Sequence, residues 1–162
     1  MRKLLASASL VVMTASSCSS PTPPSTTMPL PLTRFRTEDT AYLSISGYDQ
    51  ATRFVVRDRA GWESAWSQIH ARLRPVPPLP DVDFSMQMIA VVGLGGQSTS
   101  GYDVVLASAS ETSGTITIEA TTRSPAPRCV TLPVVTSPVD LARLPRREGA
   151  VLFRLVSSSP QC

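Results

Sequence analysis

From Ala41 to Gly47 apolar and polar residues alternate, with Leu43 and Ile45 set against Ser44 and Ser46. A period of two predicts a strand. A second short strand is predicted over Arg53 to Val56, joined to the first through Gly47-Tyr48-Asp49-Gln50. The period then changes. Asp58 is a good helix N-cap, and behind it Trp62, Ala65, Trp66, Ile69 and Leu73 recur at helical spacing as one apolar stripe. Pro75 is expected to end this helix near Arg74, because the residue before a proline is pushed out of the helical region. The two tryptophans read as core anchors that pack the helix on a sheet.

Beyond the prolines of Pro75 to Pro80, Asp83-Phe84-Ser85 leads into Met86 to Leu94, which is apolar on nearly every residue. Such a run suits a central strand covered on both faces. A Gly/Ser/Thr loop from Gly93 to Gly101 follows. Tyr102 to Ala107 and Gly114 to Thr121 predict two more strands around a turn at Glu111 to Gly114. In the second of them Ile116 and Ile118 alternate with Thr115, Thr117 and Glu119, so one face is expected to be wet. Ser124 to Pro133 is irregular, and Val139 to Leu144 and Ala150 to Val156 are candidates to close the sheet. Many strands with one early helix predict an α+β domain. Its sheet is mainly antiparallel, a sandwich or an open barrel, with the amphipathic helix packed on it.

The N-terminus changes the picture of where this domain works. Arg2 and Lys3 precede an apolar stretch from Leu4 to Thr14, then small residues Ala15, Ser16 and Ser17, then Cys18. This is the three-part order of a secretory signal, and the stretch is too short to span a bilayer, which takes about 20 residues. The small residues ending in cysteine resemble the lipobox of bacterial lipoproteins, which implies cleavage before Cys18 and acylation of its thiol. Ser19 to Leu32 is dominated by Pro, Ser and Thr, as in an extended tether. The expected organisation is a signal peptide over 1–17, a lipid-anchored linker over 18–38 and a folded domain over 39–162. The formal net charge of +3 includes Arg2 and Lys3. The mature chain is therefore nearly neutral, and its charge gives no argument for nucleic acid.

With Cys18 acylated, Cys129 and Cys162 remain as a pair in an oxidising compartment. A disulfide between them is expected. Catalytic sets are harder to assemble. The single histidine, His70, lies on the helix without an acid at ligand spacing and reads as a surface residue. No serine sits in a GxSxG context, and Gly93-Leu94-Gly95-Gly96 is followed by no helix that would make it a phosphate loop. Asp81 and Asp83 read as a turn and a strand cap rather than a catalytic pair. The expectation is no enzyme, no cofactor and no metal.

One order of features is distinctive: GWESAW on a helix, prolines, VDFSMQMIAVVGLGGQSTSGYDV, alternating strands, a proline-rich stretch with a cysteine, and TSPVDLARLP. The order resembles the C-terminal domain of the PrcB protease-complex subunit family. The resemblance runs from about Tyr42 to Val156 and implies a non-catalytic binding or assembly role in the cell envelope. The expected partners are the membrane, reached through the lipid, and an envelope protein such as a secreted protease. The expected contact is the loop of Gly95, Gly96, Gln97, Ser98, Thr99, Ser100, Gly101 and Tyr102. Glycines there permit close backbone approach, and Tyr102 offers a larger anchor. The alternative for the same residues is a turn with Tyr102 packed inward. The segment Ser98-Thr99-Ser100-Gly101-Tyr102 is also similar to the central loop of chagasin-type peptidase inhibitors. Ser98 stands where that motif has proline and Ser100 where it has threonine, and the second and third loops of that family have no counterpart.

Overall fold

The Met86–Leu94 run is apolar on both faces, so it needs cover on both. The architecture follows from how that cover is supplied. A computed structural model describes residues 26–35 and 43–158. The signal peptide, Cys18 and Cys162 lie outside the described residues. In chain order the elements are β1 (Thr27–Leu30), β2 (Thr33–Arg34), β3 (Thr52–Val56), α1 (Arg59–Ile69), β4 (Gln87–Gly93), β5 (Asp103–Thr112), β6 (Thr115–Arg123), β7 (Val139–Pro145) and β8 (Ala150–Ser158). They form two four-stranded sheets, β1-β5-β6-β8 and β2-β7-β4-β3. The sheets pack face to face as a sandwich that does not close into a barrel. All strand pairs are antiparallel except β6 with β8, which is parallel.

Strand β4 divides its side chains between two cores. Met88, Ala90 and Val92 point into the sandwich, where they meet Val104, Leu106, Ile116, Ile118 and Ala120 of the facing sheet. Ile89 and Val91 point the other way, onto α1. The molecule is therefore three layers deep, helix on sheet on sheet, with β4 in the middle layer. Strand β7 repeats the division, with Ala142 and Leu144 toward the sandwich and Val139 and Leu141 toward the helix.

Helix α1 starts where the sequence places it. The Asp58 carboxylate accepts a hydrogen bond from the Gly61 amide at 2.7 Å, occupying one of the free donors of the first turn. Trp62 and Trp66 are buried and pack against Phe35. Their indole N–H groups donate to the Pro80 and Pro77 carbonyls at 2.9 and 3.0 Å. The proline crossing thus serves as a lid over the helix whose carbonyls satisfy the indoles, as buried tryptophan requires.

Several expectations are corrected. The helix ends at Ile69 rather than Arg74, and Leu73 is outside it. The Gln68 carbonyl accepts from the Ala71 amide in a tight turn and also from the Gly47 amide, so the last turn is spent on capping contacts. His70, expected on the surface, is buried against Trp66 with ring centroids 4.1 Å apart. The described part of the first predicted strand, Leu43 to Gly47, is a turn with one parallel bridge, Ile45 to Ser137. It is held to the start of β7 through Ser137 N–H to Ser44 carbonyl and Val139 N–H to Leu43 carbonyl bonds. Thr27–Leu30 and Thr33–Arg34, read as linker, are strands. β1 pairs with β5 and β2 with β7, so the folded unit starts well before Asp39. Leu30 and Phe35 supply the burial that keeps them there.

Arg34 and Asp140 tie these early strands to both sheets. The Asp140 carboxylate accepts from the Arg34 guanidinium and from the Leu106 amide, and the same guanidinium donates to the Leu106 carbonyl. Leu106 stands at the point where β5 shifts register against β6. At that irregularity both of its backbone groups find side-chain partners instead of lying unsatisfied near the core.

Candidate protein-binding surface

The loop from Gly95 to Tyr102 leaves the central strand β4, so its base is rigid. Gly95 has a positive φ of 76°, and a β-carbon there would lie 2.7 Å from the Ala51 amide nitrogen. Only glycine fits that approach. The Gly96 amide donates to the Asp49 carbonyl at 3.0 Å.

From Gln97 onward the loop is bonded to a second loop, residues 131–136. Gln97 and Thr136 exchange both backbone hydrogen bonds, at 2.7 and 3.0 Å. The Ser100 amide donates to the Leu132 carbonyl, and the Leu132 amide donates back to the Ser100 hydroxyl at 2.9 Å. The Thr136 hydroxyl donates to the Thr99 carbonyl at 3.1 Å. Gly101 turns the chain with a φ of 94° against Pro125. Gly96, Ser98 and Gly101 are the exposed members, Thr99, Ser100 and Gln97 are half-buried, and Gly95 is buried. Tyr102 is half-buried. It lines a cleft of about 280 Å³ with Leu94, Gln97, Thr122, Arg123, Ser124, Leu155 and Ser157. It is therefore neither a core residue nor a projecting anchor.

What this pairing holds outward is the feature that reading the residues missed. Val130 is 100% exposed, Val135 66%, Leu132 63% and Val134 46%. Four large aliphatic side chains thus stand in water within six residues, on a segment clamped to the Gly-Tyr loop. Single exposed apolar residues are ordinary, and four within six residues make the segment a candidate interaction site. The signal was present in the sequence as Val130, Leu132, Val134 and Val135 inside a proline-broken stretch, which argues against their belonging to a buried strand. Cys129 begins this segment.

Two further polar side chains make close local contacts. The ring Nδ1 of His70 lies 3.0 Å from the Trp66 carbonyl oxygen in a buried position. Asp83 caps the entry to β4 through Ser85. Among the described residues no group of three or more His, Cys, Asp or Glu side chains is placed to hold a metal ion. No helix among them is long and apolar enough to cross a membrane.

No curated protein and no solved structure matches the chain. A family model does. Its span starts inside β4, takes in the Gly-Tyr loop, the β5–β6 hairpin and the exposed apolar segment, and ends with β7, so it contains the whole paired-loop surface. Over residues 88–145 the chain matches the family model PrcB C-terminal, and in that span it is PrcB-like.

Proposed function

We propose that the protein is a non-enzymatic, lipid-anchored subunit of the bacterial cell envelope that binds another protein through the paired loops. The PrcB C-terminal match supports association with a protease complex. The observation that carries the binding reading is the exposed group Val130, Leu132, Val134 and Val135, held outward by the Gln97–Thr136 and Ser100–Leu132 bonds. Apolar side chains on a fixed scaffold lose little entropy on docking, and their burial drives association. The signal sequence and Cys18 support an envelope location, with the linker ahead of Thr27 as the tether.

The inhibitor reading gains less. In Ser98-Thr99-Ser100-Gly101-Tyr102 the Ser100 amide and hydroxyl and the Thr99 carbonyl are already bonded to the neighbouring loop. Few of its polar groups remain to meet a peptidase.

The test is the triple substitution Val130→Ser, Leu132→Ser and Val135→Ser in the full chain, produced in its native membrane. These side chains add little to the core, so folding should be kept. Cross-linking in intact cells should recover a protease-complex subunit with the wild type and much less with the variant. Equal recovery from both would place the contact elsewhere.

A further inference from the structure

The two ends of the sheet β1-β5-β6-β8 are treated very differently. At one end β1 has four residues and carries Pro29. The facing sheet also ends in short strands, two residues in β2 and five in β3. Short edges and edge prolines are the usual protection against unwanted pairing. At the other end β8 runs for nine residues without proline and without a register break from Ala150 to Ser158. That is about 30 Å of strand with, among the described residues, a backbone ladder on one side only.

The side chains of β8 show the same incompleteness. In register with β6, Val151 lies beside Ile116, Phe153 beside Ile118 and Leu155 beside Ala120. The three β6 residues are fully buried, whereas their β8 neighbours are only half-buried. Opposite them Val55 of β3 is half-buried as well. The gap between β3 and β8 is fastened at one end, where Arg57 donates to the Arg147 and Gly149 carbonyls at 3.1 Å each. Arg53 shares the sandwich-facing side of β3 with Val55, is exposed, and has no carboxylate partner among the described residues. Arg154 on β8 is 73% exposed, with only a 4.0 Å approach to Glu119.

We propose that the free edge of β8 accepts an extended segment of a partner protein as a fifth strand. That segment would alternate apolar residues with polar ones and carry an acidic residue on the face that meets Arg53. The added strand would take up the unpaired backbone groups of β8 and complete the cover of Val151, Phe153 and Leu155, the recognition mode of strand addition. A second copy of this chain fits less well. β8 contains no carboxylate, so an antiparallel β8–β8 pair would set Arg154 against its own copy on the outer face and bring no acidic residue to Arg53. The inference is independent of the paired-loop surface.

The probe is a panel of fluorescent nine-residue peptides that alternate valine and threonine, with glutamate at one valine position, and a matched panel with lysine there. Binding to the full-length protein is read by anisotropy, and the site by amide hydrogen exchange. The glutamate panel should bind more tightly than the lysine panel, with new protection confined to β8. Arg53→Glu, an exposed position, should reverse the order of the two panels, with a change of about tenfold in each direction. Three results would overturn the proposal: no binding by any member at roughly 1 mM, binding indifferent to Arg53→Glu, or protection that falls outside β8. Protection of β8 before any peptide is added would also do so. In a concentration-dependent dimer it would make a second copy the occupant, and in a monomer the chain's own residues.

Discussion

Asp83 shows how much one exposed side chain can organise. Its carboxylate accepts from the Ser85 hydroxyl at 2.6 Å and the Ser85 amide at 2.9 Å, while its carbonyl accepts from the Met86 and Gln87 amides. The Ser85 hydroxyl bond, followed by the Ser85 amide, holds the Asp83 carboxyl below its usual pKa. A folded-state pKa below the unfolded one means that the group favours the fold above its unfolded pKa. That contribution disappears as pH falls through the lowered folded value. Ser85→Ala should therefore move the Asp83 titration upward, toward the ordinary carboxylate range, in a carboxyl-carbon NMR titration. An unmoved titration would show that the hydroxyl is not the cause. The turn itself was legible in the residue types, since Asp followed two positions later by Ser is a local capping pattern. His70 was also legible in principle. It stands four residues after Trp66 and eight after Trp62, on the buried stripe, and only its polarity argued for the surface. The Arg34–Asp140 pair was not, because 106 residues separate its members and no local pattern links them.

Elements were readable where burial was regular. β4, buried on both faces, and α1, with its stripe, declare themselves through period alone. β1 and β2 did not, because threonine and proline read as tether. Pro29 is tolerated only because β1 is an edge, and an edge is a property of the assembled sheet. The β5–β6 hairpin was found, but its turn is tighter than expected. Ser113 and Gly114 both have positive φ, 49° and 75°, which makes a two-residue connection and lengthens both strands. The most testable element is α1. Trp66 is buried with its indole bonded to Pro77, so Trp66→Ala should cost about 3–5 kcal/mol in denaturant unfolding. Trp66→Phe keeps most of the packing and abandons the Pro77 carbonyl, so it should cost less than the alanine variant. Equal losses would mean that the indole hydrogen bond, rather than the ring's volume, dominates.

At the scale of the whole molecule, the parallel pairing of β6 with β8 could not be read from the chain. The connection passes through β7 in the other sheet, and neither strand's alternation records its neighbour. Yet this pairing bears on the cysteines. It sets Ser158 beside Arg123. Cys129 lies six residues beyond Arg123, and Cys162 four residues beyond Ser158. Four residues reach at most about 14 Å and six about 21 Å, so the chain lengths allow the two thiols to meet. A bridge between them would fasten the base of the exposed Val130–Val135 segment and add roughly 3–4 kcal/mol by restricting the unfolded chain. With Cys18 acylated, the protein purified from membranes should then present no titratable thiol under denaturing, non-reducing conditions. Metabolic labelling with a clickable fatty acid should mark the wild type. Cys18→Ser should lose the label and still present no thiol from the other two, whereas Cys162→Ser should keep the label and expose one thiol, that of Cys129. Two thiols in the labelled wild type would refute the bridge and leave the anchor standing. An unlabelled, released wild type would refute the anchor and with it the envelope tether. Because the bridge acts on the base of the apolar segment and the anchor does not, Cys162→Ser should also make the chain between Cys129 and Thr136 cut faster in limited proteolysis, with Cys18→Ser leaving that rate unchanged.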